Sequence, residues 1–219
     1  MPPKKRIDLL LFDRNLAPSR QRAQALIMSG KVFVDNQRID KPGTTVSSDV
    51  AVEIKGEDLP FVSRGGLKLQ AALEALKLSV KDLICMDIGA STGGFTDCLL
   101  QNGARHVFAV DVGYGQLAWS LRQDSRVTCI ERTNIRYMDS EILGQPVDLA
   151  TIDVSFISLK IVVPAVLAFL KPTSCILALI KPQFEAGKGK VGKGGVVKDP
   201  YVRNEIIDDL ILFFQQLGL

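Results

Sequence analysis

The chain has 219 residues, is 47% apolar and carries a formal net charge of +3. This length and composition indicate a soluble globular protein with one sizeable domain and room for a smaller one. The apolar run behind the basic N-terminus covers only residues 9–12, too few for a signal-peptide core or a membrane span. We therefore expect a cytoplasmic protein that does not enter a membrane.

The positive charge is concentrated near the N-terminus, which suggests two modules. Residues 1–64 hold eleven basic and eight acidic residues, whereas residues 65–219 hold sixteen of each. Basic residues bind phosphates by releasing counterions, so a basic module beside a neutral one indicates a polyanion-docking domain. A mildly basic solvated surface is the alternative. We place the domains at residues 1–60 and 61–219.

The first module reads as two short helices and a small sheet. Apolar spacing predicts one helix over residues 6–16, and Ser19 is placed to cap a second helix that ends at Gly30. Residues 32–37 read as a strand into a turn and residues 50–54 as a closing strand, with a break between them at Lys41-Pro42-Gly43. The expected architecture is a compact α+β domain.

This pattern resembles a known RNA-binding module. The shared features are Arg6-Ile-Asp8-x-x-Leu11, Ser19-Arg20, Ile27-x-x-Gly30-Lys31 and Asp49-x-x-x-Glu53-Ile54. They are similar to the domain first found in a ribosomal small-subunit protein and shared with pseudouridine synthases and tyrosyl-tRNA synthetases. The resemblance implies contacts with RNA phosphates and shape. Its candidate RNA-binding residues are Arg6, Arg20, Arg22, Lys31 and Arg38, each of which alone also fits a solvated surface charge.

The second module alternates apolar runs with helical patterns, which predicts a parallel sheet covered on both faces. Strands are expected at residues 84–88, 107–112, 127–130, 149–154 and 176–180. Helices are expected at about 65–78, 93–102, 115–123, 158–170 and 200–217. The fold class is therefore α/β, with a Rossmann-like sheet, and ligands of such sheets bind beyond the carboxyl ends of the strands.

Residues 87–96, Asp-Ile-Gly-Ala-Ser-Thr-Gly-Gly-Phe-Thr, follow the first of these strands and read as a nucleotide-cofactor loop before a helix. The spacing is not the G-x-G-x-x-G of dinucleotide binders. Asp87 at the strand end suits a ligand with an amino group and a sulfonium, which is S-adenosylmethionine. An ordinary glycine turn is the alternative.

Acids end the following strands. Asp111 is placed to accept both hydroxyls of a ribose, although it also fits a helix N-cap. Glu131 or Asn134 is placed to approach an adenine. Trp119 is expected to pack on its helix rather than to stack on adenine.

Histidine and cysteine chemistry is not expected. His106, the only histidine, begins a predicted strand, which favours a structural role. The four cysteines occur singly in apolar stretches and are typical of reduced core thiols, so no metal site or disulfide is predicted. Methyl transfer to a hydroxyl would then need a lysine made less basic by burial and like charge. We expect Lys68 and Lys181 to converge, with Asp153 orienting them.

Together the motifs resemble the TlyA family over nearly the whole chain. They are Ser63-Arg-Gly-Gly-x-Lys68, Asp87-x-Gly89-x-Ser91-x-Gly93-Gly94-Phe95-Thr96, Asp111-Val-Gly-x-Gly-Gln116, Asn134-x-Arg136, Asp153-Val-Ser-Phe-Ile-Ser158 and Lys181-Pro-Gln-Phe-Glu185. This family, often named hemolysins, resembles FtsJ-type ribose methyltransferases. The resemblance implies methylation of cytidine 2′-hydroxyls in ribosomal RNA with S-adenosylmethionine, and ribosomal RNA or ribosomal subunits as partners. It marks the residues of the 87–96 motif as cofactor-binding.

Lys68, Asp153 and Lys181 match three members of the family's reactive Lys-Asp-Lys-Glu set. The glutamate and the last two strands of the family pattern are expected to be missing from 61–219. A cytolysin and a non-catalytic RNA-binding assembly factor stay open as alternatives, as do the target nucleotide and the oligomeric state. The glycine- and lysine-rich segment 187–195 is expected to become ordered over RNA, although a flexible connection is comparably consistent with it.

Overall fold

The computed structural model describes residues 2–55, 59–187, 191–192 and 194–219, which fall into two compact units, residues 1–58 and 59–219. In the first unit the order is β1 (Lys4–Arg6), α1 (Ile7–Asp13), α2 (Arg20–Met28), β2 (Val32–Val34), β3 (Gln37–Ile39), β4 (Thr45–Ser47) and β5 (Val52–Ile54). Strands β3, β2 and β5 form one antiparallel sheet and β1 pairs with β4.

The small core of this unit is built by the two helices and the β2 strand. Ile7, Leu11, Ile27 and Val32 are fully enclosed. Ser19 caps α2, its hydroxyl accepting a bond from the Arg22 amide at 3.1 Å, as predicted. The predicted strand into a turn over residues 32–37 is confirmed: β2 ends at Val34, and residues 35 and 36 both adopt positive φ and turn the chain into β3.

The second unit is a parallel sheet with helices on both faces, as predicted. Its elements are α3 (Gly65–Ala75), β6 (Ile84–Ile88), α4 (Gly94–Gln101), β7 (His106–Val110), α5 (Trp119–Arg122), β8 (Val127–Ile130), β9 (Val147–Ile152), α6 (Leu159–Val166), β10 (Leu170–Ala178), α7 (Pro182–Glu185) and α8 (Pro200–Gln216). Two separate apolar clusters cover the faces of the sheet.

The strand order β10-β9-β6-β7-β8 determines where a ligand can bind. From β6 the chain builds outward through β7 and β8, then returns to the other side of β6 with β9. A crevice opens where such a sheet reverses its order, outside the carboxyl ends of the two central strands. Here those ends are Ile88 of β6 and Ile152 of β9, so the glycine loop and Asp153 meet.

Three expectations about single residues are wrong. Trp119 is 69% exposed and does not pack into the core, because the predicted 115–123 helix is reduced to the single turn of α5. Cys175 is exposed and Cys129 is partly exposed, so only Cys85 and Cys98 are core thiols. Cys175 lies on β10, an outer strand of the described sheet, whose side chains are mostly not enclosed.

No helix in the described ranges has the length and apolar character needed to cross a membrane. Within the same ranges, no group of three or more histidine, cysteine or acidic side chains is arranged to hold a metal ion.

Candidate active site

A cavity of about 560 Å³ opens at the carboxyl ends of β6 and β9. The start of α3, the loop after β6, and the segments after β9 and β10 all contribute to its wall. Its lining residues are Ser63, Arg64, Gly65, Lys68, Gly89, Ala90, Ser91, Thr92, Gly94, Phe95, Asp153, Ser155 and Lys181. The three predicted reactive residues are therefore together, although they are far apart in the chain.

Asp153 stands between the two lysines. Its Oδ2 lies 3.4 Å from Lys68 Nζ, and its Oδ1 forms a short ion pair with Lys181 Nζ. The Lys181 side chain is 18% exposed and the Asp153 side chain 16%, whereas Lys68 is half exposed. Lys181 also donates to Ser155 Oγ at 3.0 Å. The cavity thus holds two cations and one carboxylate, and the better enclosed cation has the more fixed environment.

Two glycines allow the backbone segments of the cavity to approach closely. Gly89 has φ +82°, and a Cβ there would lie 2.8 Å from the Asp153 carbonyl oxygen. A Cβ on Gly94 would lie 2.8 Å from the Gly66 nitrogen of α3. A side chain at either position would push the wall of the site apart. Gly93, with φ +93°, instead leaves space for Leu121 of α5.

Asp87 is a loop-holding residue, not a cavity residue. It is fully buried, and its Oδ2 accepts bonds from Thr96 N at 2.9 Å and Thr96 Oγ1 at 2.7 Å. Thr151 Oγ1 donates to its Oδ1 at 3.3 Å. Burial raises the pKa of Asp87 to about 6, against the opposing effect of these hydrogen bonds. The structure does not bring Asp87 to the cavity. Because its side chain is buried, Asp87 is not placed for the predicted direct contact with the amino group of a cofactor.

Asp111 fixes the loop from the neighbouring strand. Its Oδ2 accepts a bond from the Ser91 amide at 2.8 Å and its Oδ1 one from the Gly113 amide at 2.7 Å. The N-cap alternative is wrong, because Ala118 holds that position before α5. Each carboxylate oxygen retains a lone pair, so Asp111 can still accept hydroxyl groups. Ser91 itself has a positive φ of 49° and lines the cavity.

The predicted adenine contacts lie farther along this edge and do not line the cavity. Glu131 forms a short ion pair with Arg122 and accepts a bond from the Gly115 amide at 2.9 Å. Asn134 is exposed, and its Oδ1 accepts a bond from the Arg136 amide at 3.1 Å. Both residues shape the backbone beyond β8.

In the N-terminal unit a buried carboxylate holds two of the predicted RNA-binding residues. Asp8 has no exposed surface and accepts bonds from Arg6, Arg20 and Gln24, each at 3.0 Å. The Arg6 guanidinium holds the pKa of Asp8 well below its usual range, and Gln24 and Arg20 act in the same direction. The Arg6 and Arg20 side chains stay 45% and 49% exposed.

The other three predicted RNA-binding residues also belong to this unit. Arg22 lies on α2, Lys31 precedes β2, and Arg38 lies on β3 with its guanidinium against Gly30. Lys188, Lys190 and Lys193 of the predicted RNA-closing segment lie outside the described residues.

Sequence reasoning missed several side chains around the cavity. Phe156 is 90% exposed with φ +65°, and its ring lies 5.0 Å from that of Phe184. Glu185 accepts bonds from Ser158 Oγ at 2.6 Å and the Leu159 amide at 2.9 Å. These residues belong to the motifs named in the sequence analysis. The spacing of apolar residues, however, cannot tell an exposed loop phenylalanine from a buried one, or a helix-capping glutamate from a solvated one.

Comparison with known proteins shows which family the chain belongs to. A family model described as FtsJ-like methyltransferase matches residues 61–218, and one for the S4 domain matches residues 5–52. The chain belongs to the FtsJ-like methyltransferase family. This membership makes it an enzyme of the methyltransferase class and confirms the predicted fold class.

Relatives of this FtsJ-like methyltransferase confirm the resemblance to TlyA. The 16S/23S rRNA (cytidine-2′-O)-methyltransferase TlyA of Mycobacterium tuberculosis is 49% identical over 219 residues, which are 100% of this chain and 82% of TlyA. YqxC of Bacillus subtilis, named as a candidate rRNA methyltransferase, is 52% identical over 96% of this chain and 75% of its own length. A solved structure from Streptococcus thermophilus, named as a candidate hemolysin, is 44% identical with TM-score 0.73 and covers 97% of this chain and 78% of that one.

Proposed function

We propose that this methyltransferase transfers a methyl group from S-adenosylmethionine to the 2′-hydroxyl of a cytidine in ribosomal RNA. The observation that carries the proposal is the Lys68–Asp153–Lys181 cluster at the wall of the cavity beside the glycine loop. The names of its relatives support the substrate, since TlyA of M. tuberculosis acts on cytidine 2′-hydroxyls of ribosomal RNA by its name.

The residues around the cavity fit S-adenosylmethionine. Gly89 and Gly94 bring the loop backbone to the cavity wall without side chains of their own, and the Asp111 carboxylate on the neighbouring strand suits the two hydroxyls of a ribose. Ser91, Phe95 and the other loop residues would surround the cofactor. Asp87 and Thr96 would act on it through the loop that they fix. When bound, the cofactor supplies an electrophilic methyl group.

Lys181 is the residue we propose as general base. A ribose hydroxyl is a weak nucleophile until a positioned group takes its proton. Lys181 is held by Asp153 and Ser155, whereas Lys68 is half exposed and has one contact of 3.4 Å to Asp153. We therefore assign Lys68 to charge balance and hydroxyl binding, and Asp153 to holding the two amines beside the cavity.

Phe156 offers a platform for the base of the target nucleotide. A large ring kept 90% exposed with positive φ is costly, on the order of 1–3 kcal/mol for the backbone alone, and such outliers gather at functional sites. The ring stands three residues after Asp153. Aromatic rings hold unstacked RNA bases by stacking, which fits an enzyme that must reach a ribose inside folded RNA.

The N-terminal unit would dock the RNA. Arg6 and Arg20, fixed by Asp8, present half-exposed guanidinium groups at a set spacing, which suits phosphate binding. Arg22, Lys31 and Arg38 would add to this surface. Ribosomal subunits are cytosolic, so the proposed substrate implies a cytosolic enzyme.

The proposal is tested by incubating the protein with separated ribosomal subunits and methyl-labelled S-adenosylmethionine. Label is expected on the RNA of at least one subunit with wild-type protein and not with Lys181→Met, which keeps the side-chain bulk. Cofactor binding by both proteins, measured by titration calorimetry, is the control. Cofactor binding without labelling of either subunit would contradict the proposal and favour a non-catalytic RNA binder.

A further inference from the structure

Lys181 has its polar partners on the β9–α6 loop (residues 153–158). The Asp153 carboxylate forms a short ion pair with its Nζ, and Ser155 Oγ lies 3.0 Å from the same atom. The Asp153 carbonyl oxygen is 3.4 Å away, beyond the usual range of a strong hydrogen bond. Ser155 lines the cavity next to Lys181.

Lys181 has as many close hydrogen-bond acceptors as a neutral lysine amine has N–H bonds. A neutral amine has two N–H bonds and one lone pair, while an ammonium has three N–H bonds. Two acceptors, Asp153 and Ser155, take both N–H bonds of the neutral amine. The lone pair then has one direction left, away from the loop. With Asp153 alone, the amine could rotate about its Cε–Nζ bond and the lone pair would have no fixed direction.

We infer that Ser155 is a positioning residue that turns the Lys181 lone pair toward the ribose 2′-hydroxyl. The inference rests on the proposed function and deepens it. The hydroxyl proton passes to the Lys181 nitrogen as its third N–H bond. The electron pair left on the 2′-oxygen forms the bond to the methyl carbon, whose bond to sulfur breaks with its pair going to sulfur. Lys181 returns the proton to water after the product leaves.

The loop that carries Ser155 is itself anchored, which a positioning role requires. Glu185 holds its far end through Ser158 Oγ at 2.6 Å and the Leu159 amide at 2.9 Å. The Phe156 and Phe184 rings, 5.0 Å apart, join the same two segments. Lys181 and Glu185 lie at opposite ends of α7, so this helix and the loop form one braced unit.

The test is the single-turnover methylation rate of Ser155→Ala at saturating cofactor and ribosomal subunits. Ser155 is exposed, so its replacement leaves the core intact. We expect a rate at least fivefold below wild type, dissociation constants for cofactor and RNA within twofold, and a rate closer to wild type in Ser155→Thr, which restores the hydroxyl. Ser125→Ala, an exposed serine before β8, is the matched control.

The methylation rates and affinities distinguish a failure of this inference from a failure of the proposed function. A Ser155→Ala rate within fivefold of wild type, with Lys181→Met inactive, overturns the positioning role and leaves the proposed function intact. Loss of cofactor or RNA affinity in step with the rate also overturns it, because Ser155 would then be a binding group. Absence of RNA methylation by the wild-type protein overturns the proposed function and this inference with it.

Discussion

Asp153 is the residue on which the charge balance of the cavity depends. With one carboxylate between two lysines, removing the acid would leave two cations facing each other, whereas removing a lysine would leave one cation paired with one carboxylate. The carboxylate therefore holds both amines in position at the cavity wall. Such positioning is what a base for a ribose hydroxyl requires.

Replacing Phe156 tests the stacking platform at the scale of one residue. Phe156→Ala is expected to lower the methylation rate on ribosomal subunits at least about fivefold, because base stacking is worth about 1–3 kcal/mol. Cofactor affinity should not change, since the ring is exposed and does not line the cavity. Rates and calorimetric titrations measure both. An unchanged rate would remove Phe156 from the site.

Asp87 gives a prediction for the pH dependence of stability. Its pKa rises from an ordinary 3.8 to about 6 on folding, so the folded state keeps its proton at pH values where the unfolded chain has lost it. This contribution is full below pH 3.8 and is lost as pH rises through 6. Relative to Asp87→Asn, the wild type should lose on the order of 2–3 kcal/mol over this range. Urea unfolding of both proteins between pH 4 and 7 measures the difference, and a constant difference would contradict the burial effect.

At the scale of elements, the glycine loop after β6 is the segment that joins the cofactor region to Asp153. Gly89→Ala would place a Cβ 2.8 Å from the Asp153 carbonyl oxygen at a φ of +82°. We expect cofactor affinity to fall at least tenfold. Gly115→Ala is the matched control, because Gly115 also has a positive φ, +72°, but meets nothing within 4 Å. Equal losses in both variants would show that backbone strain, and not the close approach, is responsible.

The same elements show what sequence could and could not predict. Apolar runs predicted all five strands of the parallel sheet, because buried parallel strands are almost continuously apolar. Element ends were predicted less well, as with α5, which keeps one turn of a predicted nine-residue helix. The meeting of Lys68, Asp153 and Lys181 could be predicted, because Asp153 and Lys181 follow strands of a parallel sheet and Lys68 stands near a helix start. The inward turn of Asp87 could not, since the bonds from Thr96 and Thr151 that hold it are visible only in the packed structure.

At the scale of the whole molecule, RNA affinity and methyl transfer are expected to be separable. Replacing Arg6 and Arg20 by Gln should weaken binding to ribosomal subunits and reduce the salt dependence of log K by roughly 1–2, since each phosphate contact contributes about 0.7–0.9. Cofactor affinity should stay the same. Binding at several salt concentrations measures the slope, and an unchanged slope would show that these guanidinium groups do not contact phosphate.

In the proposed reaction the enzyme methylates a ribose oxygen, and Lys181 is the general base. The most direct measurement digests the RNA product to nucleosides and finds, by mass spectrometry, whether the new methyl group stays with the ribose when the glycosidic bond breaks. We expect 2′-O-methylcytidine from the wild-type reaction and none from Lys181→Met. A methyl group on a base, or equal product from Lys181→Met, would contradict it.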